Sequence, residues 1–132
     1  MCQITYKTSP PISNEALNEL FFAAWKNHKD WDFQPVLSRS LAYICAYQGE
    51  RLVGFVNVAW DGSQHAFILD TTVHPEFQRQ GIGTAMLQVA AEVCREHRIE
   101  WLHVDYEPHL ETFYHKAGFR PTKAGLMWLG GT

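Results

Sequence analysis

No uninterrupted apolar stretch in this sequence approaches the ~20 residues needed to cross a bilayer. Its longer runs, such as Leu41–Ala46, stop far short, so no membrane partner is expected. The first 25 residues lack the charged start and continuous apolar segment of a secretory signal, which points to a cytoplasmic chain. Positive charge is also in short supply. Eleven Lys and Arg stand against 14 Asp and Glu, a net charge of −3. That leaves no bulk field to hold phosphate backbones, and nucleic acid is not expected as a partner. Cysteine is scarce: Cys2, Cys45 and Cys94 are odd in number and widely spaced, which fits neither a disulfide framework nor a thiolate zinc site. Internal repeats and low-complexity tracts are missing too. What the chain does have is 46% apolar and 14% aromatic residues in 132 positions, enough for one well-buried core. A single domain over residues 1–132 is expected.

Periodicity gives the order of elements. Gln3–Thr8 alternates like an edge strand, Pro10-Pro11 ends it, and Ser13 is a good N-cap for a helix running to Trp25. Ala16, Leu17, Leu20, Phe21 and Ala24 form its apolar stripe. Asn27–Ser40 reads as a loop or short helix. Leu41–Tyr47 and Leu52–Trp60 flank the turn Gln48-Gly49-Glu50 as a hairpin, and Asp61-Gly62 turns the chain into a third strand over His65–Val73. A helical pattern then fills Gly81–His97, a strand Glu100–Tyr106, a short helix Pro108–Ala117, and a final strand pair Phe119–Leu129 around Ala124-Gly125. The fold class is mixed α/β.

The sharpest segment is Val73-His74-Pro75-Glu76-Phe77-Gln78-Arg79-Gln80-Gly81-Ile82-Gly83-Thr84, which joins a strand to a helix. Amides at a helix start have no intrahelical partner and carry the positive end of the dipole, so the turn suits an anion, phosphate above all. Gly81 and Gly83 remove Cβ atoms that would hold a pyrophosphate away, and Arg79 adds counter-charge. The same glycines also suit a tight turn with close helix packing. Thr84-Ala85 follows where a P-loop needs Lys and Ser or Thr, and Met86 stands where a dinucleotide fingerprint needs a third small residue. Both of those phosphate loops are excluded.

Gln78-Arg79-Gln80-Gly81-Ile82-Gly83 resembles the Gln/Arg-x-x-Gly-x-Gly/Ala loop of the GNAT acetyltransferases. Leu69–Phe77 is similar to that family's fourth strand and its exit, and Phe113-Tyr114-His115-Lys116-Ala117-Gly118-Phe119 to its Phe/Leu-Tyr-x-Lys-x-Gly-Phe segment. The resemblance spans essentially the whole chain. It implies a central twisted mixed sheet of six to seven strands flanked by about four helices, acetyl-CoA as cosubstrate, and a small-molecule amine as acceptor; a homodimer stays open. It also implies that Arg79, Gln80, Gly81, Ile82, Gly83 and Thr84 hold the pyrophosphate and that the Val73 backbone pairs with the pantetheine arm.

The reaction so implied is attack of a neutral amine on a thioester, through a tetrahedral oxyanion, with a thiolate leaving. Tyr114 occupies the position of the family's tyrosine acid, and a phenol of pKa ~10 stays protonated to meet a thiolate whose conjugate acid lies near ~8.5. Its alternative is a core tyrosine between Leu110 and Phe119. Several members use a glutamate base early on the fourth strand, but the equivalent position here is Phe67, so Asp70 is the candidate base, against a purely structural carboxylate. Glu107 replaces a frequent asparagine near the cofactor arm. With Asp105 it is expected to face a cationic acceptor, as Asp70 does. Trp31 and Phe33 either wall the acceptor site or pin their loop to the core. His103, Asp105, Glu107 and His109 recur every second residue, but Pro108 breaks the strand and no metal is expected. Two alternatives stay open: an acyl-CoA sensor or assembly module without turnover, and a protein or peptide N-acetyltransferase.

Overall fold

A computed structural model describes residues 3–130. Ser13 accepts the Ala16 N–H at 3.1 Å and so caps α1 (Asn14–Ala24), an interaction typically worth about 1 kcal/mol. Leu17, Leu20 and Phe21, at helical spacing, bury the face of α1 that meets the sheet. A short α2 (Gln34–Arg39) follows.

The sheet runs in chain order, β1 (Ile4–Thr8), β2 (Ala42–Gln48), β3 (Arg51–Trp60), β4 (His65–Val73) and β5 (Trp101–Val104). The first four pair antiparallel; β4 and β5 pair parallel, joined through α3 (Ile82–Glu96). Residues Val53–Val58 of β3 are all buried because both faces are covered. Ile44, Val56, Val58, Ala66 and Ile68 meet Ile82, Met86, Ala90 and Val93 of α3 on one side, while Cys45 and Phe55 meet α1 on the other. A 3₁₀ turn at Pro108–Leu110 leads into α4 (Glu111–Lys116).

The expected class and element order hold from residue 3 to Lys116, and the sheet departs from the expected count. Among the described residues it has five strands. Phe119–Leu129 forms none, and every residue from Arg120 to Gly130 is exposed. Pro121 offers no amide to a ladder, and β5 is only four residues long, a short template for a neighbour. Cys45 and Cys94 are free and buried; burial pushes the Cys45 thiol up to about 12, so it does not act as a nucleophile at neutral pH. Cys2 lies outside the described residues.

Candidate active site

β4 is longer than its parallel partner, and that mismatch opens a cleft. Pairing with β5 covers only His65–Ile68 against Trp101–Val104, after which β4 continues alone on that side to Val73. On its other side β4 carries a bulge: Leu69 pairs with Asn57 and Thr72 with Phe55, so Asp70 and Thr71 together oppose Val56. Asp70 holds φ 58°, the left-handed region that Asp tolerates better than most side chains. Beyond the bulge, His74 N–H bonds Val53 O at 2.8 Å. Antiparallel alternation therefore turns the N–H and C=O of Val73 away from β3, towards the cleft. Gln78 Nε2 takes the carbonyl at 3.1 Å, which leaves the Val73 N–H.

The bulge sets Asp70 and Thr71 side by side on β4, and Tyr114 approaches Thr71. Thr71 Oγ1 is buried without a hydrogen bond of good geometry, although it lies near enough to Tyr114 to pull the phenol's pKa down. Burial works more strongly in the other direction and Asp105 adds to it, so the Tyr114 phenol is raised overall and stays protonated. Its ring is stacked on Tyr106 at 5.0 Å and met edge-on by Phe113 and Phe119. Asp70 is open to water, yet protein crowds its carboxyl closely enough that desolvation raises it above the ordinary carboxylate range. An orphaned buried hydroxyl beside a protonated phenol is a polar end waiting for a partner. Such a cleft fits the thioester end of an extended cofactor arm.

The loop expected to meet phosphate leads into the start of α3. Gly81 is its N-cap at φ 82°, ψ 7°, a left-handed conformation with no neighbour within 4 Å of where a Cβ would stand. Having no side chain, it leaves the first-turn amides of α3 without a side-chain cap. Arg79, also left-handed at φ 64°, lies exposed beside it with Gln80. Ile82 is buried in the core, so only its backbone is available, and Thr84 is half-buried. For Gly83 the close-packing reason has contacts behind it: a Cβ there would meet Phe113 Cζ at 3.0 Å and Val73 Cγ2 at 3.8 Å. Its side is the packed seam between α3, α4 and β4, so the glycine permits close packing in the first place.

On the acceptor side, the expected wall divides. Phe33 is 6% exposed and packs on Phe21 at 5.0 Å, so it pins its segment to the core and offers no face to a ligand. Trp31 is 60% exposed. Two residues that periodicity passed over hold this region. Asn18, buried on α1, accepts the Trp31 N–H at 2.9 Å, donates to Trp31 O at 2.8 Å, and bonds His28 Nε2 at 2.7 Å. Trp25 donates its indole N–H to Thr72 Oγ1 at 3.0 Å, and Thr72 donates to Asp70 O at 2.9 Å, tying the end of α1 to the bulge. A polar residue on an otherwise apolar helical stripe was the available signal for Asn18.

Asp105 and Glu107 are exposed just past β5. His103 turns instead to His65 (Nε2 to Nδ1, 2.8 Å) and stacks on Phe67, while His109 faces Glu107 at 3.5 Å. Among the described residues no three of His, Cys, Asp and Glu converge as a metal group. A separate hollow of about 300 Å³ between α1 and the β2–β3 turn is lined on one side by His74 but touches neither Tyr114 nor Asp70 nor Arg79–Thr84.

β4 and β5 part beyond Ile68, and the uncapped first turn of α3 and the buried Tyr114 phenol both stand beside the free stretch of β4. Residues 12–119 match the acetyltransferase (GNAT) family, and the chain belongs to that family. A GNAT protein of Streptococcus pneumoniae TIGR4 shares the fold with a TM-score of 0.83 and 25% identity, covering 97% of this chain and 98% of that one. The aminoglycoside acetyltransferase AAC(6')-Iy, solved with a bisubstrate analogue, superposes with a TM-score of 0.76 at 15% identity, over 98% and 99% of the two chains, a likeness of fold alone. An uncharacterised N-acetyltransferase of Porphyra purpurea is 35% identical over 69 residues, which are 52% of this chain. The matched stretch spans 40% of that relative's length.

Proposed function

We propose that the chain is an N-acetyltransferase that takes acetyl-CoA in the β4–β5 cleft and delivers the acetyl group to a primary amine, a small cationic one, with residues 1–132 acting as one catalytic domain. When bound, the thioester supplies the acetyl group and a thiolate that must be protonated on leaving. The observation that carries the reading is the meeting of Tyr114 with the unpartnered Thr71 Oγ1 at the bulge, where β4 and β5 part. The Val73 N–H holds the arm, and the α3 amides with Arg79 and Gln80 hold the pyrophosphate. Tyr114, kept protonated by burial, donates its proton to the leaving sulfur. Asp70, its carboxyl raised towards the working pH by desolvation, accepts the amine's proton directly or through water.

The cationic preference rests on charge placement. Asp70, Asp105 and Glu107 carry the acids of the cleft, whereas Arg79 belongs to the phosphate loop. Carboxylates raise an amine's pKa, which opposes attack unless one of them takes the proton, and this coupling favours Asp70 as base. Aminoglycoside acetyltransferases share this fold, and their name, with its small-molecule acceptor, agrees with a small polar acceptor here. A thiol-release assay with acetyl-CoA and a panel of a diamine, a neutral amino acid and a lysine peptide tests this. The diamine is expected to be fastest. A preference for the peptide points to a protein acetyltransferase, and absence of turnover with every amine, alongside measurable CoA binding, to a sensor.

A further inference from the structure

The hollow between α1 and the β2–β3 turn joins apolar and charged surface, and the proposed reaction uses neither. Ile12, Ala16, Leu20 and Leu52 give it an apolar lining. Glu19 and Glu50 bring carboxylates to it, Arg51 and His74 nitrogen donors. Its volume of about 300 Å³ suits a small molecule. On the donor side the hydrogen bonding is incomplete. His74 Nδ1 accepts the Glu76 N–H at 3.1 Å, so the ring proton sits on Nε2. Arg51 Nη2 stands 3.3 Å from that Nε2, and a guanidinium has donors only. Two N–H groups therefore face one another with no acceptor between them. The Glu76 carboxylate is beyond hydrogen-bond reach of both, 3.7 Å from Arg51 and 3.9 Å from His74. A single oxygen accepting from both would complete the pair, and a carboxylate brings one with the matching charge. Across the hollow the need is reversed: among the described residues neither Glu19 nor Glu50 enters an ion pair.

We propose that this hollow binds a free α-amino acid with an aliphatic side chain. Its carboxylate accepts from Arg51 and His74, its ammonium meets Glu19 and Glu50, and its side chain lies on Ile12, Ala16, Leu20 and Leu52. A simple anion would leave the two glutamates opposed to it, and a simple amine would leave the two donors still facing each other. A zwitterion with an apolar tail answers all three surfaces at once. The place is distinct from the acceptor cleft, since neither Asp70 nor Tyr114 lines it.

Calorimetric titration of the full chain with L-leucine, in the absence of CoA, is expected to show saturable binding with a Kd below ~1 mM. Isocaproate, which lacks the ammonium, and isopentylamine, which lacks the carboxylate, are each expected to bind about tenfold more weakly or worse. Arg51→Gln is expected to weaken leucine binding about tenfold, and so is the pair Glu19→Gln with Glu50→Gln. All three side chains are exposed, and Tm confirms that each variant folds. The two analogues probe the parent chain, so the charge requirement is read even where a variant fails. Leucine that does not saturate by ~10 mM overturns the proposal. So does either analogue binding as tightly as leucine, and so does undiminished leucine binding in folded Arg51→Gln, which would put the amino acid in another place, the acceptor cleft included. Heat is read without cosubstrate, so the result stands apart from whether the chain turns over acetyl-CoA.

Discussion

Tyr114 and Asp70 are both raised by desolvation, and in the proposed reaction the same physics gives them opposite uses. A raised phenol is an acid that keeps its proton through the neutral range; a raised carboxylate is a base whose pKa approaches the working pH. Tyr114→Phe deletes one hydroxyl and leaves the stack on Tyr106 intact, so turnover is expected to fall roughly 10²-fold or more with CoA affinity unchanged. Calorimetry beside steady-state rates checks it. Unaltered turnover with a lower Tm returns Tyr114 to a packing role. For Asp70 the linkage has a definite sign. Its folded pKa lies above the unfolded value, so between the two the native state holds more protons than the unfolded one, and stability falls as pH rises through that window. Asp70→Asn is therefore expected to raise Tm at neutral pH, with the advantage vanishing below the unfolded pKa, while lowering activity. A variant no more stable than the parent at neutral pH would remove the desolvated carboxylate from the account.

At the scale of elements, the start of α3 holds two glycines in different surroundings, Gly81 at its cap and Gly83 in its first turn. Gly81→Ala places a Cβ in a left-handed cap at a cost of about 1–2 kcal/mol and is expected to weaken CoA binding by disturbing the first-turn amides. Gly83→Ala presses on Phe113 and is expected to shift α4, which carries Tyr114, so kcat should suffer more than CoA affinity. Binding and turnover measured on both variants separate the two; equal effects on both quantities would undo the distinction. Asn18→Ala strips the clamp on Trp31 and His28 and is expected to cost roughly 1–3 kcal/mol in denaturant unfolding. These elements also mark what the chain's residues disclose by themselves. Turn signals at Gln48-Gly49 and Asp61-Gly62, the Ser13 cap and the period of Ile82–Cys94 are local, and the structure keeps them. The bulge at Asp70-Thr71 is a matter of register between strands, invisible to periodicity, and Phe33's burial depends on Phe21 and Phe55 arriving from other elements. The Phe119–Leu129 strand pair had the right composition, but strands need an edge to pair with, and composition says nothing of that.

Across the whole molecule, charge and connectivity decide behaviour. With Asp70, Asp105 and Glu107 facing the acceptor as proposed, the rate for a cationic amine is expected to fall with rising salt, and a rate indifferent to salt would sink the electrostatic account. Connectivity sets a second property. β2, β3 and β4 follow one another as hairpins, so their contacts are close in sequence, but β5 can pair with β4 only after the whole of α3 has crossed over the sheet. Held by four paired residues and one neighbour, β5 is the strand with the least to lose on opening. The amides of Trp101–Val104 should then exchange with deuterium sooner than those of Val53–Val58 in apoprotein. A cosubstrate that wedges into the gap beside β4 acts on that opening: at a hundred times its dissociation constant, ligand stabilises the closed form by ~2.7 kcal/mol. Saturation with CoA would slow that exchange about a hundredfold, so the cosubstrate itself becomes the latch of the strand that lines its seat.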